Sequence, residues 1–458
     1  MMKGLLLAAV AALGSAGSAS AATLELSSVK GPPTAAFDAT AGGYAPGEAV
    51  VFHFAPTGDV SVPAGPGGSA TATLTVPAGT LPGKYTVSVD GGASAVYLVR
   101  TNWAQARFSE KRGGTNVFEN ILNPANVGSL APLFDRPCGD GGDGETPTVA
   151  SGRAYVASRD GTLCAVNKAS GKAYWSTDVR GLVVAPIAAA YTKLYVTAGH
   201  RLLALDSKSG AVEWAGRTEG GVLQSSPAVY KGTVYVGSRD GYLYAYDAAG
   251  CEGEPLCYPL WRGRVKDAVL SAPSAYGHYV VVTSADGSVR KFDADGCGKS
   301  VCDALAVADG TGSRHDLRTS VALTGSPETL VWATFGDGRV AALSARDLHT
   351  VRSISIPGRP RLSSPAVTGD AVYVTAGDGT LRALSRATLA PLWTATLPAG
   401  ATPPGQANGP AVANGVVYVG TGDGGTAAYA ASGCGAAVLD CPPLWYAPAH
   451  GGASAVVS

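Results

Sequence analysis

The stretch Ser226 to Trp261, SPAVYKGTVYVGSRDGYLYAYDAAGCEGEPLCYPLW, decides the fold. A short apolar run follows Pro227, then TVYVGS, a turn at Asp240-Gly241, YLYAYD and a closing LW. Alternating apolar and polar positions, rich in β-branched and aromatic residues, predict half-buried strands, and Asp-Gly between two such runs is the strongest short-range hairpin signal. The stretch therefore reads as four strands. A unit this small cannot bury both of its faces alone and must stack on copies of itself.

The copies are present. The opening phrase recurs as TPTV at Thr146, APIA at Ala185, APSA at Ala272, SPAV at Ser364 and GPAV at Gly409, with TSVA at Thr319 lacking the Pro. The hairpin turn recurs at Asp160-Gly161, Asp286-Gly287, Asp337-Gly338, Asp378-Gly379 and Asp423-Gly424, and the second copy has Gly199-His200 instead. Two independent signals run in phase at about 40 to 50 residues per copy, the blade length of a β-propeller.

The ends of the first two copies, Ala165 to Trp175 (AVNKASGKAYW) and Ala204 to Trp214 (ALDSKSGAVEW), resemble the Trp-docking repeat of PQQ-like, quinoprotein-type propellers. In that family the Trp packs between neighbouring blades. The lead-in WAQARFSEKRGGTNVFENILNPANVGSLAPLF, from Trp103 to Phe134, resembles the segment that precedes the first blade there, so the resemblance runs from Trp103 to His450. The seven copies predict an all-β fold with seven blades, or eight, assembled from both ends of the chain, as the alternative. Residues 130–136 (LAPLFDR) have the character of an outer strand without a blade of its own, and residues 452–458 read like the opening of another first strand.

Lys3, the apolar run Leu5 to Leu13 and Ala19-Ser20-Ala21 have the three parts of a cleaved secretory signal peptide, residues 1–21. The apolar core is too short to span a membrane, and no Cys follows it to accept a lipid. Residues 22–100 alternate at period two between Pro-Gly turns, and GGYAPGEAVVFHF resembles the Ig-like modules of exported bacterial proteins. The expected order is an Ig-like β-sandwich at 22–100, a lead-in and linker at 101–144 and the propeller at 145–458. Gly113-Gly114 and the Gly-Asp run near residue 140 are expected to be exposed chain open to proteases.

A formal net charge of zero with 15% charged residues gives no electrostatic reason for nucleic acid or an anionic membrane as partner. The eight Cys fit export. Cys251 with Cys257, Cys297 with Cys302 and Cys434 with Cys441 each follow one phrase (YDAAGC, FDADGC, YAASGC) and should staple the turn between a blade's third and fourth strands. Cys138 and Cys164 pair by elimination. A zinc site would need C-x-x-C-type spacing, which is absent.

In quinoprotein-type propellers the cofactor lies over the central channel, on the face where the blade-joining loops and the second-to-third-strand turns meet. The polar residues expected there are Gln224, Ser225, Arg361, Ser363, Gln406 and Asn408, with Arg159 and Arg239 beside the hairpin turns. The turn aspartates satisfy the positive φ angles of a type I′ turn without any ligand role. PQQ-dependent dehydrogenases of the family carry an adjacent Cys pair and acidic residues around calcium, and this chain departs from both. The favoured reading is an exported, non-catalytic, monomeric binding or scaffold protein engaging a protein or glycan at the cell surface, without cofactor or metal. The alternative is a quinoprotein oxidoreductase with PQQ and calcium in an atypical site.

Overall fold

The structure, a computed structural model, describes residues 22–140, 146–219, 221, 223–310, 319–325, 329–356, 362–398, 409–435 and 440–448. The expected signal peptide lies outside them, as do Arg361, Gln406, Asn408 and residues 452–458. The chain divides into two compact units, Met1–Arg100 and Thr101–Ser458.

In the first unit, three strands (Thr23–Leu26, Ala36–Gly42, Ser69–Thr75) form one sheet and five (Lys30–Gly31, Ala49–Phe54, Gly58–Pro63, Gly83–Val89, Ser94–Val99) a second. Every other residue of Ala36–Gly42 and Ser69–Thr75 is buried, as a sheet with one covered face requires. Phe37, Phe52, Phe54, Leu74 and Tyr97 fill the space between the sheets, with the Phe37 and Tyr97 rings stacked at 4.0 Å. This is a β-sandwich.

The second unit holds seven four-stranded antiparallel blades among the described residues, at 148–178, 188–217, 228–264, 274–308, 322–355, 366–396 and 411–447. Apolar clusters lie between successive blades, so each blade buries its faces against its neighbours. One detail of the hairpins differs from expectation. In each Asp-Gly turn only the Gly has positive φ, from 80° at Gly424 to 97° at Gly161. Gly161 N donates to Ser158 O, so the turn is a type I turn closed by a left-handed glycine rather than type I′.

The blade junctions follow one rule with two solutions. Trp175, Trp214, Trp261 and Trp393 each lie flat on a glycine of the next blade: a Cβ on Gly210, Gly250, Gly296 or Gly433 would sit 2.6 to 2.7 Å from the indole. Where the outer strand has no Trp, the receiving residue is a leucine. In blade 5 Arg352 takes the Trp register, its Nη1 donates to Arg386 O at 2.9 Å, and Leu389 fills the space. In blade 4 that register holds Ala306; Lys291 Nζ reaches Ala345 O at 3.0 Å and Leu348 fills the gap. Blade 7 meets blade 1 through the lead-in. Trp445 Nε1 donates to Leu130 O at 3.1 Å, and Phe134 lies on Gly171 as the indoles lie on the other glycines. Residues 130–136 thus complete the ring without forming a strand.

All four expected disulfides are formed: Cys138–Cys164, Cys251–Cys257, Cys297–Cys302 and Cys434–Cys441. The three short loops also cap blade edges. Leu256–Cys257 pairs in parallel with the outer strand of blade 2, and Val301–Cys302 with that of blade 3. On blade 6, Asp440 bridges Thr394 in parallel and Cys441 N donates to Thr394 O.

Candidate functional site

The channel is where a propeller's inner strands converge, and here residues 103–114 occupy it. Val149 N donates to Trp103 O (2.9 Å), Ala189 N to Ala104 O (2.7 Å), Ala275 N to Glu110 O (2.8 Å), Leu323 N to Lys111 O (2.8 Å), Val367 N to Gly113 O (3.0 Å) and Val412 N to Gly114 O (2.8 Å). Blade 3 is served by a side chain: Val229 N donates to Gln105 Oε1 at 2.9 Å, and Gln105 Nε2 donates back to Val229 O at 3.0 Å. Each blade contributes one inner-strand N–H, and the lead-in supplies each acceptor. Left-handed residues at Arg107, Phe108, Arg112 and Gly114 coil the segment into so narrow a ring. The expected exposure at Gly113-Gly114 is therefore corrected: Gly114 is buried, and a Cβ there would lie 2.9 Å from Pro410 O.

Two arginines anchor this strap. Arg112, fully buried, donates to Pro273 O at 3.0 Å through Nε, to Ala106 O at 2.7 Å through Nη1 and to Pro227 O at 2.7 Å through Nη2. Arg107 donates to Arg112 O at 3.2 Å and to Pro365 O at 2.6 Å. The prolines of the repeated opening phrase thus present carbonyls to the axis. Burial lowers both guanidinium pKa values to about 9, with Arg112 adding to the effect on Arg107, so both stay protonated at neutral pH. Sequence reasoning missed Gln105, Arg107 and Arg112. Their signal was present in WAQARFSEKRGG, where three hydrogen-bonding side chains sit beside a Gly pair ahead of the repeats.

Of the expected ligand residues, Gln224, Ser225, Ser363, Arg159 and Arg239 are among the described residues. Ser225 is fully buried and its hydroxyl donates to Ser271 O at 2.7 Å, linking blades 3 and 4. Ser363 Oγ accepts from Thr375 N at 3.0 Å. Ser226 Oγ to Pro186 O and Ser274 Oγ to Val321 O make the same kind of link between neighbouring blades, at 2.8 and 2.6 Å. Arg159 and Arg239 are exposed beside their turns. Gln224 differs: it is half-buried, and its Oε1 has no hydrogen-bond partner among the described residues, as is true of Thr319 Oγ1 at the start of blade 5.

The turn aspartates are occupied with their own backbone. Asp160, Asp240, Asp286, Asp337, Asp378 and Asp423 each accept the N–H two residues on, at 2.8 to 3.1 Å. Backbone N–H groups of Thr162 and Asp140 hold the Asp160 pKa down at about 2, and hydroxyls of Thr421 and Tyr446 do the same for Asp423. Asp286 and Asp378 are further paired with Arg290 and Arg382, at 3.1 and 2.8 Å. Among the described residues no three His, Cys, Asp or Glu side chains come together at metal-binding distance.

Comparison with known proteins adds three findings. A family profile described as "Outer membrane protein assembly factor BamB" matches residues 103–253, 220–363 and 305–434. The outer membrane protein assembly factor BamB of Alkalilimnicola ehrlichii is 35% identical over 98 residues, 21% of this chain and 25% of that protein. The match thus spans about a quarter of that relative's length. Among solved structures, the quinohemoprotein alcohol dehydrogenase of Comamonas testosteroni is similar with a TM-score of 0.61 at 17% identity, over 77% of this chain and 74% of its own. A europium-containing methanol dehydrogenase is similar at 0.60 and 13%, over 76% and 85%. At such identities the two dehydrogenases speak to the fold alone.

Proposed function

This chain belongs to the PQQ-like β-propeller repeat family described as outer membrane protein assembly factor BamB, and from that membership we propose that it is an exported, non-catalytic protein-binding scaffold acting at the cell surface. The observation that carries the reading is the strap: the chain's own lead-in fills the channel at the level of the inner strands and takes an N–H from every blade. A flat quinone over a calcium ion needs a carboxylate set around the metal and a base within reach of a substrate hydroxyl. Among the described residues, those at the channel do not fit that group. They present peptide carbonyls and two protonated guanidinium groups, and the nearest regular set of carboxylates, in the turns, is bound to its own backbone.

What the rim offers instead is hydrogen bonding without proton uptake. Arg159 and Arg239 stand exposed beside their turns, while Gln224 is half-buried with its Oε1 shielded from solvent. Such groups recognise peptide units and carboxylates of a protein partner, or the hydroxyls of a glycan. Four disulfides suit an oxidising compartment, in keeping with export by a cleaved signal peptide. The N-terminal sandwich, of Ig-like type in this reading, serves as a spacer or second binding module, and the protein acts as a monomer.

Two measurements test the proposal. Purified protein supplied with PQQ and calcium should show no cofactor absorbance after desalting and no dye-linked oxidation of alcohols or sugars. Photo-cross-linking from position 224 in cells should trap a defined protein, and Gln224→Ala should weaken that capture. Turnover by the loaded protein would overturn the reading.

A further inference from the structure

The outer edges of the blades are not treated alike. Three are capped by the stapled loop of the following blade, always in parallel and always at the residue after the Trp register. Ala215 N donates to Pro255 O and Arg262 N to Ser300 O, both at 2.9 Å, and Cys441 N donates to Thr394 O at 2.8 Å. Blade 7 lies against the lead-in through Trp445 and Leu130. Blades 2, 5 and 6 lack a stapled loop, and among the described residues the sheets of blades 1, 4 and 5 end at Ala173–Asp178, Ala306–Ala308 and Thr350–Ser355.

The blade 5 edge is the least guarded. Exposed edge strands are normally protected by charge, proline, a bulge or shortness; blade 5 has a bulge at Val351, but the same bulge at Glu213 of blade 2 does not keep that edge from being capped. Thr350–Ser355 (TVRSIS) spans six residues with four short, exposed side chains, and its one charge, Arg352, is turned onto Arg386 O. By register Ser353 corresponds to Ala215 and Arg262, so its N–H points outward as theirs do. Blade 1 ends on an acidic residue, Asp178, and blade 4 offers only three residues. The edge strand's own charge is Arg352, and Arg346 lies in the turn before it; Asp347 is held by His349 Nδ1 at 2.6 Å, while Arg386 Nη1 faces blade 6, donating to Thr368 O and Gly369 O. The internal caps carry the matching sign. Glu252 and Glu254 lead into the blade 2 cap, Asp303 meets Arg264 at 3.1 Å beside the blade 3 cap, and Asp440 accepts from Thr396 N at 2.6 Å on blade 6.

We infer that the outer edge of blade 5 receives an extended, acidic-flanked segment of a partner protein as a fifth, parallel strand, in the geometry the chain's own loops adopt on blades 2 and 3. The inference rests on the scaffold reading and names the surface through which the scaffold acts. The occupant supplies main-chain hydrogen bonds to Ser353 and carboxylates to the surrounding arginines.

The probe is a fluorescein-labelled peptide copying residues 252–260 with Cys257→Ser, titrated against the full chain by fluorescence anisotropy. Saturable binding is expected. Ser353→Pro, which deletes the outward N–H, should weaken it at least tenfold. Val351→Asp leaves every backbone bond in place and should weaken it through repulsion of the acidic flank, which keeps the test decisive if Ser353→Pro folds poorly. Ser176→Pro, on the open edge of blade 1, should leave binding unchanged. No saturation at millimolar peptide, equal binding by Ser353→Pro, or loss with Ser176→Pro instead would each overturn the inference. A dimer in sedimentation that Ser353→Pro dissolves would assign the edge to a second copy and overturn it too. If Ser353→Pro still captures its partner in the cross-linking experiment, the scaffold reading stands and the edge falls.

Discussion

Two adjacent glycines give the strap its sharpest test. Gly114 has a φ of +68°, and a Cβ there would lie 2.5 Å from Arg107 Nη2, 2.9 Å from Pro410 O and 3.1 Å from the Ala366 Cβ. Gly113 lacks a positive φ and has no atom within 4 Å of its Cβ position. Gly114→Ala therefore meets about 1 to 2 kcal/mol of left-handed strain and about 1 to 3 kcal/mol of overpacking against a buried carbonyl and a buried arginine. The sum is a loss of about 2 to 5 kcal/mol. Gly113→Ala should be neutral or stabilising by up to about 1 kcal/mol through the unfolded chain. Urea unfolding followed by tryptophan fluorescence reads the right unit, because all seven Trp lie between residues 103 and 445 and none in the sandwich. A free lead-in would make both substitutions equally mild. If the two variants agree within about 0.5 kcal/mol, the normal scatter for exposed sites, the strap is not in the channel.

Further expectations concern the closures and the titrating groups. Cys138–Cys164 spans 26 residues and Cys297–Cys302 only 5, so replacing the first pair with Ser should cost about 3.5 kcal/mol and the second about 2 by loop entropy, read from urea midpoints. Leu389→Gly, which empties the junction of blades 5 and 6, should cost about 1 to 4 kcal/mol, the cavity being partly offset by relief of the left-handed backbone at Leu389. Adding Arg352→Trp should recover part of that in a thermal melt, because it rebuilds the Trp-on-Gly pair found at four other junctions. Burial pushes Tyr235, Tyr244, Tyr418 and Tyr429 up to about 12, so the stability they lend is complete below pH 10 and is lost as pH rises toward 12. Arg107 and Arg112, lowered to about 9, act oppositely, since the unfolded chain holds more protons above that pH. Urea midpoints should fall beyond pH 10, the two arginines offsetting part of the loss.

The blades were legible because their determinants are local. Strand alternation, a Pro ahead of six of the seven inner strands and a left-handed glycine in each hairpin all leave residue-type marks, as do cysteines that repeat one phrase. The hairpin type was misjudged because Asp-Gly suits both turn classes, and only the Asp φ distinguishes them. The strap left little trace, since the acceptors at Trp103, Ala104, Glu110, Lys111, Gly113 and Gly114 are main-chain carbonyls, which every residue carries. Ser225 and Ser363 looked like ligand residues for a related reason. A hydroxyl that joins one blade to the next is written with the same letter as one that faces a partner. The leucines at 348 and 389 could have been read as replacements for the docking glycine, but only beside the missing tryptophans of the blades before them.

Hydrogen exchange read by mass spectrometry on the full chain tests the central claim most directly. With the lead-in seated in the channel, peptides covering residues 103–116 should exchange as slowly as the inner strands at 148–150, 228–230 and 411–413, whose N–H groups at Val149, Val229 and Val412 are closed by the strap. Exchange of 103–116 within seconds, together with fast exchange at those inner-strand amides, would show an open channel and contradict the account.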